Sequence, residues 1–307
     1  MKKSLLILAA FCSFQAFSQN YKVEEIKVND QLMGDLYDSP NKETVVLIIP
    51  GSGPTDRNGN TLGATNNNSL KYLAQGIAEN DIDVLTYDKR VVFILKNKLE
   101  IPELDFQHGI DDAKTIVDYL KNTKGYKNVI ITGHSEGSLI GMIAAQNNTE
   151  AYISLAGSGK PIDEILEEQI NKQAPMLNEA NIKILKQLKA GTVVKEVHPF
   201  LKGLYAEHNQ PFLIDWMRYN PQTEIAKLKL PILIINGTKD IQVGVENAEL
   251  LHQAVPSSQK VIIENMNHIF KEITKDEQNA ASYNNPDLPI QKELVGTIVN
   301  FINKTIK

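Results

Sequence analysis

This 307-residue chain alternates short apolar runs with amphipathic stretches along most of its length, and that alternation restricts it to few folds. Residues 44–49 are all apolar after Thr44 and end at Pro50-Gly51, which is typical of a strand buried on both faces. Similar runs recur at 82–87, 129–132, 151–155, 231–235 and 261–263, and a hairpin is predicted at 22–28 and 31–37. Helical periodicity separates these runs at 70–79, 109–123, 137–147, 243–254 and 289–304. Strands that alternate with helices predict an α/β fold with a mostly parallel central sheet flanked by helices.

Residues from about 161 to 228 interrupt this alternation. The interval contains no strand-like run, only segments of helical period such as 162–166, and it is too long for an ordinary crossover between strands. We interpret it as a helical cap inserted over the carboxyl edge of the sheet, because both flanking runs have the character of strands in one sheet. An independent second domain is the alternative. Residues 19–307 are then one α/β domain that carries the cap.

Charge and cysteine content exclude several classes of protein. The chain has 32 Lys and Arg against 37 Asp and Glu, a net charge of −5, whereas a general nucleic-acid binder carries a basic face. Its one cysteine, Cys12, can form neither an internal disulfide nor a cysteine-based metal cage. We therefore expect no metal and no nucleic-acid partner.

The N-terminus has the three parts of a cleavable secretory signal. Lys2 and Lys3 precede an apolar stretch of about ten residues, and Ala16-Phe17-Ser18 follows it. The stretch is too short to span a bilayer core of about 30 Å as a helix. In addition, Phe11 stands where a lipoprotein signal has a small residue before its cysteine. We expect cleavage after Ser18 and export to the periplasm or beyond the cell, without a stable membrane anchor. A buried first strand or a membrane anchor is the alternative.

Residues 133–137, Gly-His-Ser-Glu-Gly, match the pattern G-x-S-x-G. The motif lies between a strand-like run and a helical stretch, and in that setting it predicts a nucleophile elbow that holds the Ser135 hydroxyl clear of the backbone. The N-terminus of the following helix favours negative charge that develops there. A glycine turn with an incidental serine is the structural alternative. We predict that Ser135 is a catalytic nucleophile.

A serine hydroxyl becomes nucleophilic when a base removes its proton, and histidine is the usual base. His268 follows the last strand-like run, where α/β sheets place their reactive groups. His134 lies within the elbow and is oriented away from this role. The remaining histidines belong to helical or cap segments: His108, His198, His208 and His252. We predict that His268 is the catalytic base.

The imidazole needs a carboxylate that fixes its tautomer and stabilises its charged form. Asp240 ends the segment Gly237-Thr238-Lys239-Asp240, which follows the strand-like run 231–235, so it also lies at the carboxyl end of a strand. The chain order Ser135, Asp240, His268 is the order found in α/β folds that carry a nucleophile elbow. Asp215 in the cap is a weaker rival, and Asp287 comes after the histidine. A helix N-cap is the structural alternative for Asp240.

Acyl transfer also requires hydrogen-bond donors where the oxyanion forms. One candidate is the backbone N–H of Glu136, the residue after the nucleophile. The second is expected in the loop Pro50-Gly51-Ser52-Gly53-Pro54, where glycines allow a close approach of the backbone. We favour the N–H of Ser52 and keep that of Gly53 as the alternative.

Over residues 22–305 the chain resembles the α/β-hydrolases, and among them bacterial secreted or periplasmic serine aminopeptidase-like hydrolases of carboxylesterase type. The resemblance rests on the elbow, the loop 50–60, Tyr-Asp-Lys-Arg at 87–90, Asn-Gly-Thr-Lys-Asp at 236–240 and Asn-His at 267–268. It implies the α/β-hydrolase fold. The chain departs from the pattern at Pro50, where relatives commonly have histidine, and at Val91-Val92-Phe93, where they often have Gly-x-Gly. The second departure concerns the pocket wall.

Together these features predict a serine hydrolase that cleaves carboxylic ester or related acyl bonds of a small molecule through an acyl-enzyme. This chemistry implies no cofactor. An aminopeptidase or amidase with the same triad is one alternative, and it needs a carboxylate that holds the substrate ammonium. Candidates for that carboxylate are Glu136, Glu167 and Glu168. A non-catalytic binding protein is the other alternative. We interpret Asp56, Arg57 and Arg90 as loop-fixing residues, with substrate contact by either arginine as the alternative.

Overall fold

The computed structural model describes residues 20–40, 43–146 and 148–306, so the predicted signal peptide lies outside the described residues. The described chain forms an eight-stranded sheet in the order β1-β2-β4-β3-β5-β6-β7-β8. The strands are β1 Lys22–Lys27, β2 Met33–Asp38, β3 Thr44–Ile49, β4 Asp83–Tyr87, β5 Asn128–His134, β6 Ala151–Leu155, β7 Ile232–Gly237 and β8 Gln259–Ile263.

Eleven α-helices accompany these strands in the described ranges. They are α1 Ser69–Ala78, α2 Arg90–Lys96, α3 Phe106–Asp118, α4 Glu136–Ala144, α5 Ile162–Gln173, α6 Asn178–Lys189, α7 Gln210–Trp216, α8 Pro221–Ala226, α9 Val245–Ala254, α10 Glu277–Ser282 and α11 Lys292–Thr305. A π-helical turn, Tyr119–Thr123, extends α3. None of the helices in the described ranges is long and apolar enough to cross a membrane.

Strand direction determines where the functional loops meet. β1 and β2 form an antiparallel hairpin and β2 pairs antiparallel with β4, whereas β4, β3, β5, β6, β7 and β8 are all parallel. The carboxyl ends of the six parallel strands therefore lie at one edge of the sheet, where such folds place their ligands. The mostly parallel sheet predicted from the sequence is confirmed.

The two faces of the central strand β3 explain its continuous apolar run. Val45, Leu47 and Ile49 pack into a core with α3, α4 and α9, while Val46 and Ile48 pack on the other face with α1 and α11. Successive side chains of a strand point to opposite faces, so a strand covered by helices on both sides needs apolar residues at every position.

The interval between β6 and β7 contains only helices and short 3-10 turns in the described chain. Apolar side chains between Ile162 and Met217 form a third cluster, separate from the two cores of the sheet. Ile225 of α8 belongs instead to the main core. The division into one domain with a cap over 161–228 remains a prediction. The helical layer with its own core ends near Met217, before α8.

Candidate active site

Ser135 lies in a strained turn between β5 and α4. Its backbone has φ 55° and ψ −119°, a conformation that a residue with a side chain rarely adopts. A Cβ on Gly133 would lie 2.2 Å from the carbonyl oxygen of Gly137, and one on Gly137 would lie 2.4 Å from that of Pro50. The two glycines of the motif therefore allow the turn to close and to pack against the loop after β3.

His268 and Asp240 are joined by a hydrogen bond at the carboxyl edge of the sheet. The Nδ1 atom of His268 lies 2.8 Å from Oδ2 of Asp240, and both side chains are buried. The other carboxylate oxygen accepts the backbone N–H groups of Gln242, at 2.9 Å, and Val243, at 2.8 Å. The rival Asp215 accepts the N–H of Gln107 in a different part of the chain. Asp240 is thus held in place, and it orients the imidazole so that Nε2 is available for proton transfer.

A network of amides joins the loops that carry His268 and Asp240. The side chain of Asn267 donates to Asn279 at 3.0 Å and to Ser282 at 2.9 Å. The side chain of Asn279 donates in turn to the carbonyl oxygen of Lys239 at 2.8 Å. Sequence reasoning missed Asn279 and Ser282, because the short helix α10 that carries them has no apolar periodicity. The sequence alone does not indicate whether a polar residue is buried or exposed.

The elbow and the histidine loop meet at His134. Its Nε2 atom lies 2.9 Å from the carbonyl oxygen of His268, and the two imidazole rings are 4.9 Å apart. Within the described part of the chain, the Ser135 hydroxyl forms no hydrogen bond. Catalytic hydrogen bonds are often long in a free enzyme and tighten when substrate binds. Through His134, the residue before Ser135, the elbow contacts the backbone of His268, the predicted base of Ser135.

Burial keeps the His134 imidazole neutral. Burial, with a smaller contribution from neighbouring His268, lowers the pKa of His134 to about 3. A neutral ring can donate its Nε2 proton to the His268 carbonyl oxygen, and its edge packs against Phe270 at 4.7 Å between ring centroids. His134 therefore holds the histidine loop and is not itself a base.

We expect the variant His134→Gln to reduce the acid sensitivity of the fold. The pKa of His134 in the folded state, about 3, lies below that of a histidine in the unfolded chain, about 6.5. The unfolded state therefore takes up the proton first, and stability present above pH 6.5 is lost as the pH falls toward 3. At pH 4.5 this effect lowers the free energy of unfolding of the wild type by about 2–3 kcal/mol. The His134→Gln variant lacks this loss, because glutamine takes up no proton.

Urea unfolding at pH 7.5 and pH 4.5 measures this difference for the wild type and for His134→Gln. His198, which is exposed, provides the matched control, because His198→Gln should keep the pH dependence of the wild type. An equal loss of stability in the wild type and in His134→Gln would contradict the prediction.

Three backbone N–H groups of the elbow and of the loop after β3 have no partner among the described residues: those of Ser52, Gly53 and Glu136. A Cβ on Gly51 would lie 3.4 Å from Cβ of Ser135, so the loop after β3 lies directly against the nucleophile. Ser52 lines the same cavity as Ser135, whereas Gly53 lines a neighbouring one. This placement favours Ser52 over Gly53 as the second donor, beside Glu136.

The cavity at Ser135 has a volume of about 310 Å³ and a mostly apolar wall. Its apolar lining includes Leu139, Ile162, Leu166, Leu213 and Trp216. The charged residues of this lining are both paired: Lys160 with Glu168 at 2.5 Å, and Glu136 with Lys89 at 2.6 Å. The cavity is therefore suited to an uncharged group.

Arg57 and Asp56 fix the loop after β3. The Arg57 guanidinium donates to Glu25 at 2.8 Å, to Asp35 at 2.6 Å and to Asp88 at 3.1 Å, which ties the loop to β1, β2 and the end of β4. The Asp56 carboxylate accepts N–H groups within its own loop.

Arg90 differs in that it lines the neighbouring cavity, of about 240 Å³, where it is paired with Asp112.

In the described chain, no group of three or more His, Cys, Asp or Glu side chains is arranged to hold a metal ion.

No protein-family model matches the chain. The esterase EstD of Thermotoga maritima is 28% identical over 235 residues, which are 73% of this chain and 54% of that protein. The chain thus matches about half the length of this curated relative.

Solved structures match over nearly the whole chain. Est1E from Butyrivibrio proteoclasticus has a TM-score of 0.57 at 14% identity, and the match covers 92% of this chain and 98% of that one. The Pyrococcus furiosus esterase Pf2001 has a TM-score of 0.58 at 15% identity, with coverage of 94% and 92%. At such identities the likeness shows a shared fold.

Proposed function

We propose that this chain, which has the α/β-hydrolase fold, is a serine hydrolase that cleaves carboxylic esters of small molecules. The observation that carries the proposal is the buried 2.8 Å hydrogen bond between His268 and Asp240, beside the strained elbow of Ser135. The unpartnered N–H groups of Ser52 and Glu136 support it. So does the similarity to EstD, an esterase.

These residues supply each step of an acyl transfer. The Ser135 hydroxyl attacks the ester carbonyl while His268 takes its proton at Nε2, and Asp240 stabilises the resulting imidazolium. The N–H groups of Ser52 and Glu136 donate to the oxyanion, and each such donor lowers the barrier by about 3–4 kcal/mol. His268 returns the proton to the departing alcohol. A water molecule activated by His268 then hydrolyses the acyl-enzyme.

The charges around the cavity favour a neutral ester over the substrate of an aminopeptidase. Glu136 is paired with Lys89 and Glu168 with Lys160, so the charge of each carboxylate is already balanced by a lysine of the chain. Glu167 is exposed and does not line the cavity. An ammonium brought against the apolar wall would lose its hydration without gaining a partner.

We expect p-nitrophenyl butanoate to be hydrolysed with kcat/KM at least about 100-fold above that for p-nitrophenyl 2-aminobutanoate, whose α-ammonium is the group that an aminopeptidase binds. The two esters share the leaving group and the chain length, so their comparison isolates the ammonium from the difference between ester and amide bonds. Aminoacyl p-nitroanilides then test the amide bond itself. A preference for the aminated ester would support an aminopeptidase and contradict the proposal.

We also propose that the protein is exported, with residues 1–18 as a cleavable signal. The two lysines, the short apolar stretch and Ala16-Phe17-Ser18 support this. N-terminal sequencing of the exported protein tests it, since the mature chain should begin at Gln19.

A further inference from the structure

We propose that Lys89 is a positioning residue that orients the second oxyanion donor and connects it to the first. This inference rests on the proposed esterase function. Lys89 follows β4, next to β3 in the sheet, and β3 is in turn next to β5. From that position its side chain reaches both segments that carry a candidate donor, the loop after β3 and the elbow after β5.

Two contacts place the ammonium of Lys89. Its Nζ atom lies 2.6 Å from Oε1 of Glu136 and 3.2 Å from the carbonyl oxygen of Gly51. Glu136 directly follows Ser135, and Gly51 directly precedes Ser52. One cation therefore bridges the residue that carries the first donor and the peptide that carries the second.

The contact with Gly51 determines the direction of the Ser52 N–H. The carbonyl of Gly51 and the N–H of Ser52 belong to one planar peptide unit, and the described chain contains no cis peptide bond. In a trans unit the C=O and the N–H point in opposite directions. Holding the oxygen at Lys89 turns the N–H to the other side, and Ser52 lines the cavity of Ser135. The positive charge also polarises the peptide, which makes the N–H a stronger donor.

The contact with Glu136 neutralises a negative charge next to the nucleophile. The Glu136 side chain is almost fully buried, at 1% exposure. Its second oxygen, Oε2, has no hydrogen-bond partner in the described chain. Without Lys89, this buried carboxylate would be left without a counter-ion close to the position where the oxyanion forms. Lys89 thus acts on both parts of the oxyanion site without contacting the substrate carbonyl.

The variant Lys89→Met should lower kcat for a p-nitrophenyl ester by about 10- to 100-fold and change KM by less than about 3-fold. Oxyanion donors act on the transition state, so losing their orientation affects kcat. A boronic acid forms a negatively charged tetrahedral adduct with the serine. Its inhibition constant should rise in Lys89→Met by about the same factor as kcat falls. A purely structural defect would instead lower the thermal midpoint without this matched loss.

A double variant separates orientation of the peptide from neutralisation of the carboxylate. Lys89→Met combined with Glu136→Gln removes both charges and leaves the Gly51 carbonyl without its cation. We expect kcat of the double variant to stay within about 3-fold of Lys89→Met. Recovery beyond that range would overturn the assignment of peptide orientation to Lys89.

Lys121 provides a matched control at the other edge of the sheet. Its Nζ atom lies 2.6 Å from Oε1 of Glu150 and 3.1 Å from the carbonyl oxygen of Lys127, and its side chain is 14% exposed, as is that of Lys89. Lys121→Met should keep the kcat of the wild type.

The outcomes separate the two proposals. If Lys89→Met is folded and has the same kcat as an active wild type, the positioning role is overturned and the proposed function is not. An inactive wild type overturns the proposed function, and this role with it.

Discussion

Replacing Ser135 by alanine is expected to lower kcat/KM for ester hydrolysis by about 10⁶-fold while leaving the fold intact. Without the hydroxyl no acyl-enzyme can form, and His268 has no proton to accept. Alanine keeps the Cβ atom of serine, so the strained backbone at φ 55° is occupied in the same way. The Ser135 hydroxyl forms no hydrogen bond within the described chain, so its removal costs the folded state little.

Steady-state hydrolysis of p-nitrophenyl butanoate measures the loss, and thermal unfolding checks the fold. A fluorophosphonate probe should add covalently to Ser135 of the wild type and not to the variant. Such labelling also separates an enzyme from a binding protein with the same fold.

Ser138, one helical turn further on, provides a matched control. Its hydroxyl is buried and lies 2.8 Å from those of Tyr152 and Ser154. Ser138→Ala should retain both labelling and hydrolysis. Appreciable hydrolysis by Ser135→Ala would contradict an acyl-enzyme at this serine.

The structure shows which strands could be predicted from sequence and why others could not. β3 and β6 have the predicted bounds, because a continuous apolar run with clear ends is a local property. β5 continues beyond the predicted Thr132 to His134. Gly133 and His134 still pair with Ser154 and Leu155 of β6, and this pairing depends on the neighbouring strand.

A search for apolar periodicity locates helix starts and short helices poorly. α3 begins at Phe106, before the predicted residue 109, because the Asp105 side chain accepts the N–H of His108 at 2.9 Å and caps the helix. The helices α2 and α10 were not predicted, and each has fewer than eight residues. α2 is mostly apolar and α10 is mostly polar, but seven and six residues are too few to display a helical period.

The same difference between local and non-local information applies to the candidate site. Ser135, Asp240 and His268 could be proposed from sequence because each follows a strand-like run, and parallel strands bring their carboxyl ends to one edge. The bridging contacts of Lys89 could not be proposed, because they follow from the order β4-β3-β5 in the sheet. No local pattern encodes that order.

We expect Asp240→Asn to lower kcat/KM by about 10⁴-fold near neutral pH, with little change in thermal stability. In the wild type, Oδ1 of Asp240 accepts two backbone N–H groups and Oδ2 accepts the Nδ1 proton of His268. The same backbone groups would hold the single oxygen of asparagine, so its NH₂ group would face the imidazole.

An NH₂ group facing Nδ1 requires that nitrogen to present its lone pair, which moves the ring proton to Nε2. His268 could then no longer accept the proton of Ser135, although its position would be almost unchanged. The loss should therefore appear in kcat more than in KM, and fluorophosphonate labelling of Ser135 should slow in parallel. Asp215→Asn is the matched control, because Asp215 is also a buried carboxylate that accepts a backbone N–H and was the rival partner. Wild-type kcat/KM in Asp240→Asn, or a comparable loss in Asp215→Asn, would show that the orientation of His268 does not depend on Asp240 as proposed.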